Sequence, residues 1–189
     1  MSKWQTMRKR LKLNRPSRRR YARPPRQRTP VGMDFTAANL AVPLALQCCT
    51  DCGAVQYPPR EVCANCLCGS LKWRPASGNG RVLASVTLHH SLWEFFKRRI
   101  GAAPWPVATI RLDCEVTVFA HVAAQTFDNT ARRDIAAGTA VTVFSHSDCS
   151  RNAVLIAVAA NTPIGTRAQR SAIAEQLGLT QPAEFTGGI

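Results

Sequence analysis

The sequence predicts a mostly β protein in which a small cysteine-rich module precedes a five-stranded closed barrel, with short helices at the flanks. Two patterns lead to this fold class. Six cysteines crowd together between residues 48 and 68, and five runs of alternating apolar and polar residues follow them. Such alternation is typical of half-buried strands, and five short strands suit a small closed barrel.

Four cysteines have the spacing of a metal site, C-x2-C-x10-C-x2-C, formed by Cys49, Cys52, Cys63 and Cys66. Two such pairs can place four thiolates around one zinc ion at Zn–S distances of about 2.3 Å. Because protein would fill all four positions, no position stays open for a water nucleophile, and the zinc is expected to be structural. Disulfides are the alternative, but eight cysteines in 189 residues are fewer than a disulfide scaffold carries.

Two further thiols leave the choice of ligands open. Cys48 could take the place of Cys49, and Cys68 could take the place of Cys66. We predict Cys49 and Cys66 because they preserve the C-x2-C spacing. The module around them holds few large aliphatic side chains, so the bound metal would have to stabilise it.

The five strands are predicted where apolar and polar residues alternate, at 82–89, 108–113, 116–122, 140–145 and 154–159. In the first strand, Val82, Ala84, Val86 and Leu88 share one face. The segment Asp113-Cys114-Glu115 is short enough for a hairpin turn.

Short helices are predicted beside these strands. Ser91 to Glu94 matches a capping box and Gly101 supplies a stop, which predicts a helix between the first two barrel strands. A second helix is predicted from Arg167 to Leu177, with Thr166 as its cap. The segment Gly78-Asn79-Gly80 is interpreted as a turn before the first barrel strand.

The positive charge is concentrated at the beginning of the chain. Residues 1–32 carry twelve of the 25 Lys and Arg residues and no acidic residue, whereas residues 33–189 carry thirteen basic and eleven acidic residues, a balance of +2. A basic segment without apolar periodicity is predicted to be disordered. It could hold nucleic acid nonspecifically, act as an organellar presequence or a weak twin-arginine export signal, or be untranslated sequence before a start at Met33.

The chain has no stretch that would span a membrane as a helix. The longest uninterrupted apolar run, Ala153 to Ala160, has eight residues, and a spanning helix needs about 20. We therefore expect a soluble, cytoplasmic protein with no membrane partner.

A set of motifs between Leu46 and Ala159 resembles a known family. The motifs are Cys49-x2-Cys52-Gly53, Tyr57-Pro58-Pro59-Arg60, Cys63-x2-Cys66, Trp73, Ser77-Gly78-x-Gly80-x-Val82, Pro104-Trp105 and Ile110-x-Leu112-Asp113. Together they resemble the family of OB-fold proteins with an N-terminal rubredoxin-like zinc ribbon, long catalogued as a domain of unknown function. The resemblance implies a noncatalytic accessory subunit that associates with a thiolase-family enzyme and assists acyl-CoA binding or transfer.

The resemblance and the composition together predict five segments. Residues 1–32 are the basic disordered tail, and residues 33–45 are a short helical or extended lead-in. Residues 46–75 are the zinc ribbon, residues 76–162 the OB-fold barrel, and residues 163–189 a C-terminal tail with a short helix.

Arg60, Lys72 and Arg81 are the candidate contacts for coenzyme A phosphates, since they are cations near the junction of ribbon and barrel. The alternative interpretation is that all three residues are solvated surface charges. No catalytic residue is predicted, because the sequence lacks a G-x-S-x-G elbow, a Walker A loop and a G-x-G-x-x-G motif. The chain is therefore expected not to be an enzyme itself.

Nucleic-acid binding is the alternative function, since zinc ribbons and OB barrels both serve it. Binding of single strands needs stacking aromatic residues and a basic groove on the second and third barrel strands. Those strands offer Phe119, His121 and one cation, Arg111. Nucleic acid is therefore expected only through the basic tail.

Overall fold

The computed structural model describes residues 29–89, 104–127, 135–148 and 151–180. Within these ranges the chain forms a three-stranded sheet, a closed five-stranded barrel, two α-helices and one 3-10 turn. The helices are α1 (Pro30–Ala41) and α2 (Arg167–Gln176), and the 3-10 turn is Ala124–Thr126. The strands are β1 (Ala45–Cys49), β2 (Val55–Gln56), β3 (Leu71–Pro75), β4 (Asn79–Leu88), β5 (Trp105–Leu112), β6 (Thr117–Val122), β7 (Ala140–Ser147) and β8 (Ala153–Ala159).

The barrel closes in the order β4-β5-β6-β8-β7, which confirms the predicted mostly β class with a five-stranded barrel. All its strand pairs are antiparallel except β6 and β8, which run parallel. Aliphatic side chains from all five strands fill the interior, among them Val82, Ile110, Val118, Val143 and Leu155.

The strands are buried on both faces near β7 and β8. Val143 and its neighbour Phe144 belong to two different apolar clusters, because successive side chains of a strand point to opposite faces. The second cluster includes Ile173 and Ala174 of α2, so this helix covers the outer wall of the barrel. Burial on both faces explains why β8 reads as a continuous apolar run in the sequence.

The predicted C-terminal helix is confirmed by α2. Thr166 forms a complete capping box with Gln169, and the helix runs from Arg167 to Gln176. His146 on β7 contacts the Ser171 hydroxyl through Nε2 at 3.1 Å and so joins the barrel to this helix. The other predicted helix, after Ser91, lies outside the described residues.

Strand β4 departs from the predicted alternation. A bulge between Val82 and Ala84 shifts its register against β5. An extra residue in one strand reverses the side-chain phase beyond it. Val82 is therefore 1% exposed while Val86 is 51% exposed, so the prediction that both share the buried face is wrong.

The segment Gly78-Asn79-Gly80 was predicted as a turn before the first barrel strand, and in the structure it helps to close the barrel by pairing with β7. Asn79 and Gly80 already belong to β4, and the Val143 amide donates to the Gly78 carbonyl at 2.7 Å. A Cβ on Gly78 would overlap the carbonyl oxygen of Val143, and one on Gly80 would overlap that of Arg111. Both glycines are required by the close approach of neighbouring backbone.

Helix α1 begins before residue 33. Thr29 is its N-cap and Pro30 its first helical residue, so residues 30–32, which the sequence placed in the basic tail, form its first turn. None of the described helices has the length and apolar character that crossing a bilayer requires.

Helix α1 joins the three-stranded sheet to the barrel. The buried Asn39 side chain accepts from the Ala45 amide and donates to the Ala45 carbonyl, both at 2.9 Å, as a neighbouring strand would. The Ser145 hydroxyl of β7 donates to the Asn39 carbonyl and lies 3.0 Å from the Pro43 carbonyl oxygen. Phe35 packs against Trp73 with ring centroids 5.8 Å apart. One helix therefore fixes the sheet against the barrel wall.

Candidate metal centre

The first cysteine pair lies in the turn between β1 and β2. The Gly53 amide donates to the Cys49 carbonyl at 3.1 Å, and the Cys49 amide donates to the Ala54 carbonyl at 2.8 Å. Gly53 has a φ of +72°, a conformation that glycine adopts without cost. The Cys52 amide points at the Cys49 sulfur, 3.4 Å away. This turn folds the backbone around the position that a metal would take.

The second pair repeats the same turn in the loop that leads to β3. The Leu67 amide donates to the Cys63 carbonyl at 3.0 Å, and the Cys63 amide donates to the Cys68 carbonyl at 2.8 Å. The Asn65 amide points at the Cys63 sulfur at 3.4 Å. Leu67 stands where the first turn has glycine, and it takes the same left-handed conformation, with a φ of +62°.

The structure brings the four predicted ligand residues together. The sulfur atoms of Cys49, Cys52, Cys63 and Cys66 all lie within 4.8 Å of one another. The Cys49–Cys66 and Cys52–Cys63 sulfur pairs are both 3.6 Å apart. A tetrahedral zinc site with Zn–S bonds of about 2.3 Å has sulfur–sulfur edges of about 3.8 Å, so four thiolates at these positions fit one zinc ion.

The backbone of the first turn favours the thiolate form that binds metals. The hydrogen bond from the Cys52 amide is the main cause that lowers the pKa of the Cys49 thiol from 9.0 to about 6. The Cys68 side chain and the Asp51 amide lower it further. The side chain of Asn65 is the main group that lowers the pKa of the Cys52 thiol. A lowered pKa leaves more thiolate at neutral pH, which suits a metal ligand. At Cys66 a hydrogen bond from the Cys68 amide is outweighed by the neighbouring thiols of Cys68, Cys52 and Cys49, which raise the pKa of this fourth ligand.

Two buried glutamines hold the loop between the cysteine pairs. The Gln47 amide accepts from the Arg60 backbone amide at 2.8 Å and donates to the Arg60 carbonyl at 3.0 Å. Gln56 donates to Gln47 at 3.0 Å and accepts from the Ala64 amide at 2.8 Å. The sequence analysis missed both residues, although amide side chains on the two strands next to the cysteine turns were a signal for such a network.

Two extra thiols have different surroundings. The Cys68 sulfur lies 3.2 Å from that of Cys49, beside the four-sulfur group. The Cys48 sulfur instead contacts the carbonyl oxygens of Cys49 and Gly53, at 3.6 and 3.7 Å. Of these two residues, Cys68 is therefore the one whose thiol contacts a predicted ligand.

The three cations predicted to contact coenzyme A lie on different parts of the molecule. Arg60 is exposed in the loop that the Gln47 side chain holds. Gln47 pairs with Trp73 of β3, so these two side chains share one face of the sheet. Lys72 precedes Trp73 and therefore points to the face opposite to Gln47. Arg81 lies on β4 and donates to the Gly138 carbonyl at 3.1 Å. Their role in binding stays a prediction.

Family models match the two folded parts separately. Residues 44–71 match the ChsH2 rubredoxin-like zinc ribbon domain, and residues 73–143 match the ChsH2 C-terminal OB-fold domain. Together the two matches extend over more than half of the chain. Among curated proteins, none is significantly similar to this sequence.

Two solved structures are similar to the chain. One is described as an Ltp2-ChsH2(DUF35) aldolase, with a TM-score of 0.54 and 18% identity over 77% of this chain and 99% of that chain. The other is a DUF35-family protein of unknown function from Sulfolobus solfataricus, with a TM-score of 0.40 and 14% identity over 82% of this chain and 94% of that one. At 18% identity, the likeness to the first structure shows a shared fold.

The first of these structures corrects an expectation from the sequence. The chain was expected not to be an enzyme itself. This expectation is wrong, because the similar structure is described as an aldolase and the fold of this chain therefore occurs in a catalytic structure.

The order of the two matched domains agrees with the motifs in the sequence and with the ribbon and barrel in the structure. The chain belongs to the ChsH2 family, in which a rubredoxin-like zinc ribbon precedes an OB-fold domain.

Proposed function

We propose that this chain is the zinc-ribbon and OB-fold subunit of an enzyme assembly that makes or breaks carbon–carbon bonds in acyl-CoA substrates. The partner is a thiolase-like subunit. The observation that carries the proposal is the presence of both ChsH2 domains, in order, in one chain. The fold likeness to an Ltp2-ChsH2 aldolase supports the reaction class.

The ribbon holds one structural zinc ion through Cys49, Cys52, Cys63 and Cys66. The mutual sulfur distances within 4.8 Å and the thiolate-favouring first turn support this assignment. When bound, the ion supplies a fixed tetrahedral geometry to a sheet with few large aliphatic side chains. Because sulfur ligands of this kind require reduced cysteines, we also place the protein in the cytoplasm.

The ribbon and the barrel together form the surface that meets the partner and the coenzyme. Helix α1 fixes their relative position through Asn39 and Ser145. The Gln47 side chain fixes the backbone of Arg60 and leaves its side chain exposed, which suits a contact to a coenzyme A phosphate. Lys72 and Arg81 remain candidates, on another face of the ribbon and on the barrel wall.

Nucleic-acid binding is supported mainly by the charge of the basic tail. On the barrel wall, one cation is already paired with a carboxylate. Arg111 pairs with Glu115, with its Nε 3.1 Å from the carboxylate. The exposed aromatic ring of Phe119 on β6 is the one feature of the described barrel wall that favours stacking of a base.

Co-expression with a thiolase-like protein encoded beside this chain tests the proposal. We expect the two to elute as one complex in size-exclusion chromatography, with zinc present, and the complex to bind coenzyme A more tightly than either protein does alone. Arg60→Ala should weaken that binding, while Arg74→Ala, an exposed cation on β3, serves as the control. Separate elution, together with binding of a single-stranded oligonucleotide that depends on the basic tail, would favour the alternative.

A further inference from the structure

The second cysteine turn places a fifth thiol, that of Cys68, beside the four thiols that one zinc ion can bind. The Cys66 and Cys68 sulfurs lie 3.6 and 3.2 Å from the Cys49 sulfur. Both distances are within the sulfur–sulfur edge of about 3.8 Å of a tetrahedral site. The group of sulfurs within 4.8 Å of one another includes Cys66 and not Cys68, so Cys68 replaces Cys66 by turning its side chain toward Cys52 and Cys63. Structural zinc takes four ligands, so one of the two thiols stays uncoordinated at any moment.

We propose that Cys66 and Cys68 exchange as the fourth ligand, so that the ribbon holds zinc through either of two sets of four thiolates. The inference rests on the proposal that the ribbon binds zinc. Cys49, Cys52 and Cys63 are common to both sets. The second turn thus has a reserve ligand that keeps the metal when one of its two exchanging thiols is lost or chemically blocked.

The backbone holds Cys68 in place for this role. Its carbonyl accepts from the Cys63 amide at 2.8 Å, so the residue is fixed to a ligand residue of the same turn. Cys66 is exposed while Cys68 is half-buried, so a reagent in solvent reaches Cys66 first.

The first turn has no such reserve. Ala54 occupies the position that Cys68 has in the second turn, since its carbonyl accepts from the Cys49 amide in the equivalent hydrogen bond. The nearby Cys48 thiol contacts backbone carbonyl oxygens instead. The two turns therefore differ in how they respond to the loss of one ligand, and this difference provides a matched control.

Zinc content of four full-length variants tests the exchange. We expect Cys66→Ser and Cys68→Ser each to keep one zinc per chain against a chelator that strips the double variant C66S/C68S. Cys52→Ser, in the turn without a reserve, should lose its zinc as the double variant does. With Co2+ in place of zinc, the sulfur charge-transfer absorbance should stay at the wild-type level in both single variants and fall by about one quarter in the double variant, because it scales with the number of bound thiolates.

Loss of zinc from either single variant as readily as from the double variant overturns the exchange. Absence of zinc from the wild-type chain would instead overturn the zinc proposal itself. Because a variant can fail to fold, labelling of the zinc-loaded wild type provides a second test. Iodoacetamide should modify the exposed Cys66 without releasing zinc, because Cys68 then takes its place, and release of zinc in step with modification of Cys66 overturns exchange.

Discussion

The ribbon and the barrel are stabilised by different means. The barrel is closed and has an interior of aliphatic side chains from all five strands, so hydrophobic burial holds it together. The ribbon sheet has three strands, one of them only two residues long, and its turns converge on sulfur atoms. One part of this molecule therefore depends on a bound metal and the other does not.

Removal of zinc gives the largest expected difference between the two parts. Apparent zinc binding energies in small structural sites are about 10 to 16 kcal/mol, so a strong chelator should unfold the ribbon while the barrel keeps its structure. Hydrogen exchange measures this directly. Amides of β1 and β3 should lose protection, and amides of β5 and β8 should retain it.

Cys52→Ser should reproduce the effect of the chelator, and Cys114→Ser should not, since Cys114 lies in the hairpin turn of the barrel. Equal loss of protection in β1 and β8 would show that the two parts unfold as one unit, which would contradict their stabilisation by different means.

Gly78→Ala gives the largest expected effect on the barrel. The new Cβ would overlap the Val143 carbonyl oxygen, and alanine disfavours the φ of +75° at this position. We expect the free energy of unfolding to fall by more than about 3 kcal/mol, measured by chemical denaturation. Gly138→Ala is the control, because it has a similar φ of +85° but open space around its Cβ, and it should cost only about 1 kcal/mol.

The sequence predicted the parts of the fold that repeat or that have fixed spacing. Alternation located all five barrel strands, the capping residue Thr166 located α2, and the C-x2-C spacing located the cysteine cluster. The bulge after Val82 was missed because apolar and polar residues continue to alternate beyond it in the sequence, although the buried face changes. The bridge through Asn39 was missed because its partners lie 6 and 106 residues away, and a single sequence shows no such long-range hydrogen bonds.

Asn39→Ala tests the bridge between the two parts. It removes both hydrogen bonds that the side chain makes with Ala45, in a site where Asn39 is almost fully buried. Leaving a buried backbone amide and carbonyl without partners should cost about 2 to 3 kcal/mol of unfolding free energy. Leu40→Ala, on the exposed side of the same helix, should change it by less than about 0.5 kcal/mol. Equal effects of the two variants would show that α1 does not couple ribbon and barrel through Asn39.

The smallest expected effect compares the two cysteine turns with each other. Gly53 and Leu67 occupy equivalent positions with φ near +70° and +60°, and the Leu67 side chain is 75% exposed. Leu67→Gly should therefore stabilise the zinc-loaded protein by about 1 kcal/mol, because glycine takes the left-handed conformation freely and little packing is lost. Gly53→Ala should destabilise it by a similar amount, since its Cβ meets open space and only the backbone conformation changes. Thermal unfolding with zinc in excess measures both variants, and shifts of the same sign would contradict the equivalence of the two turns.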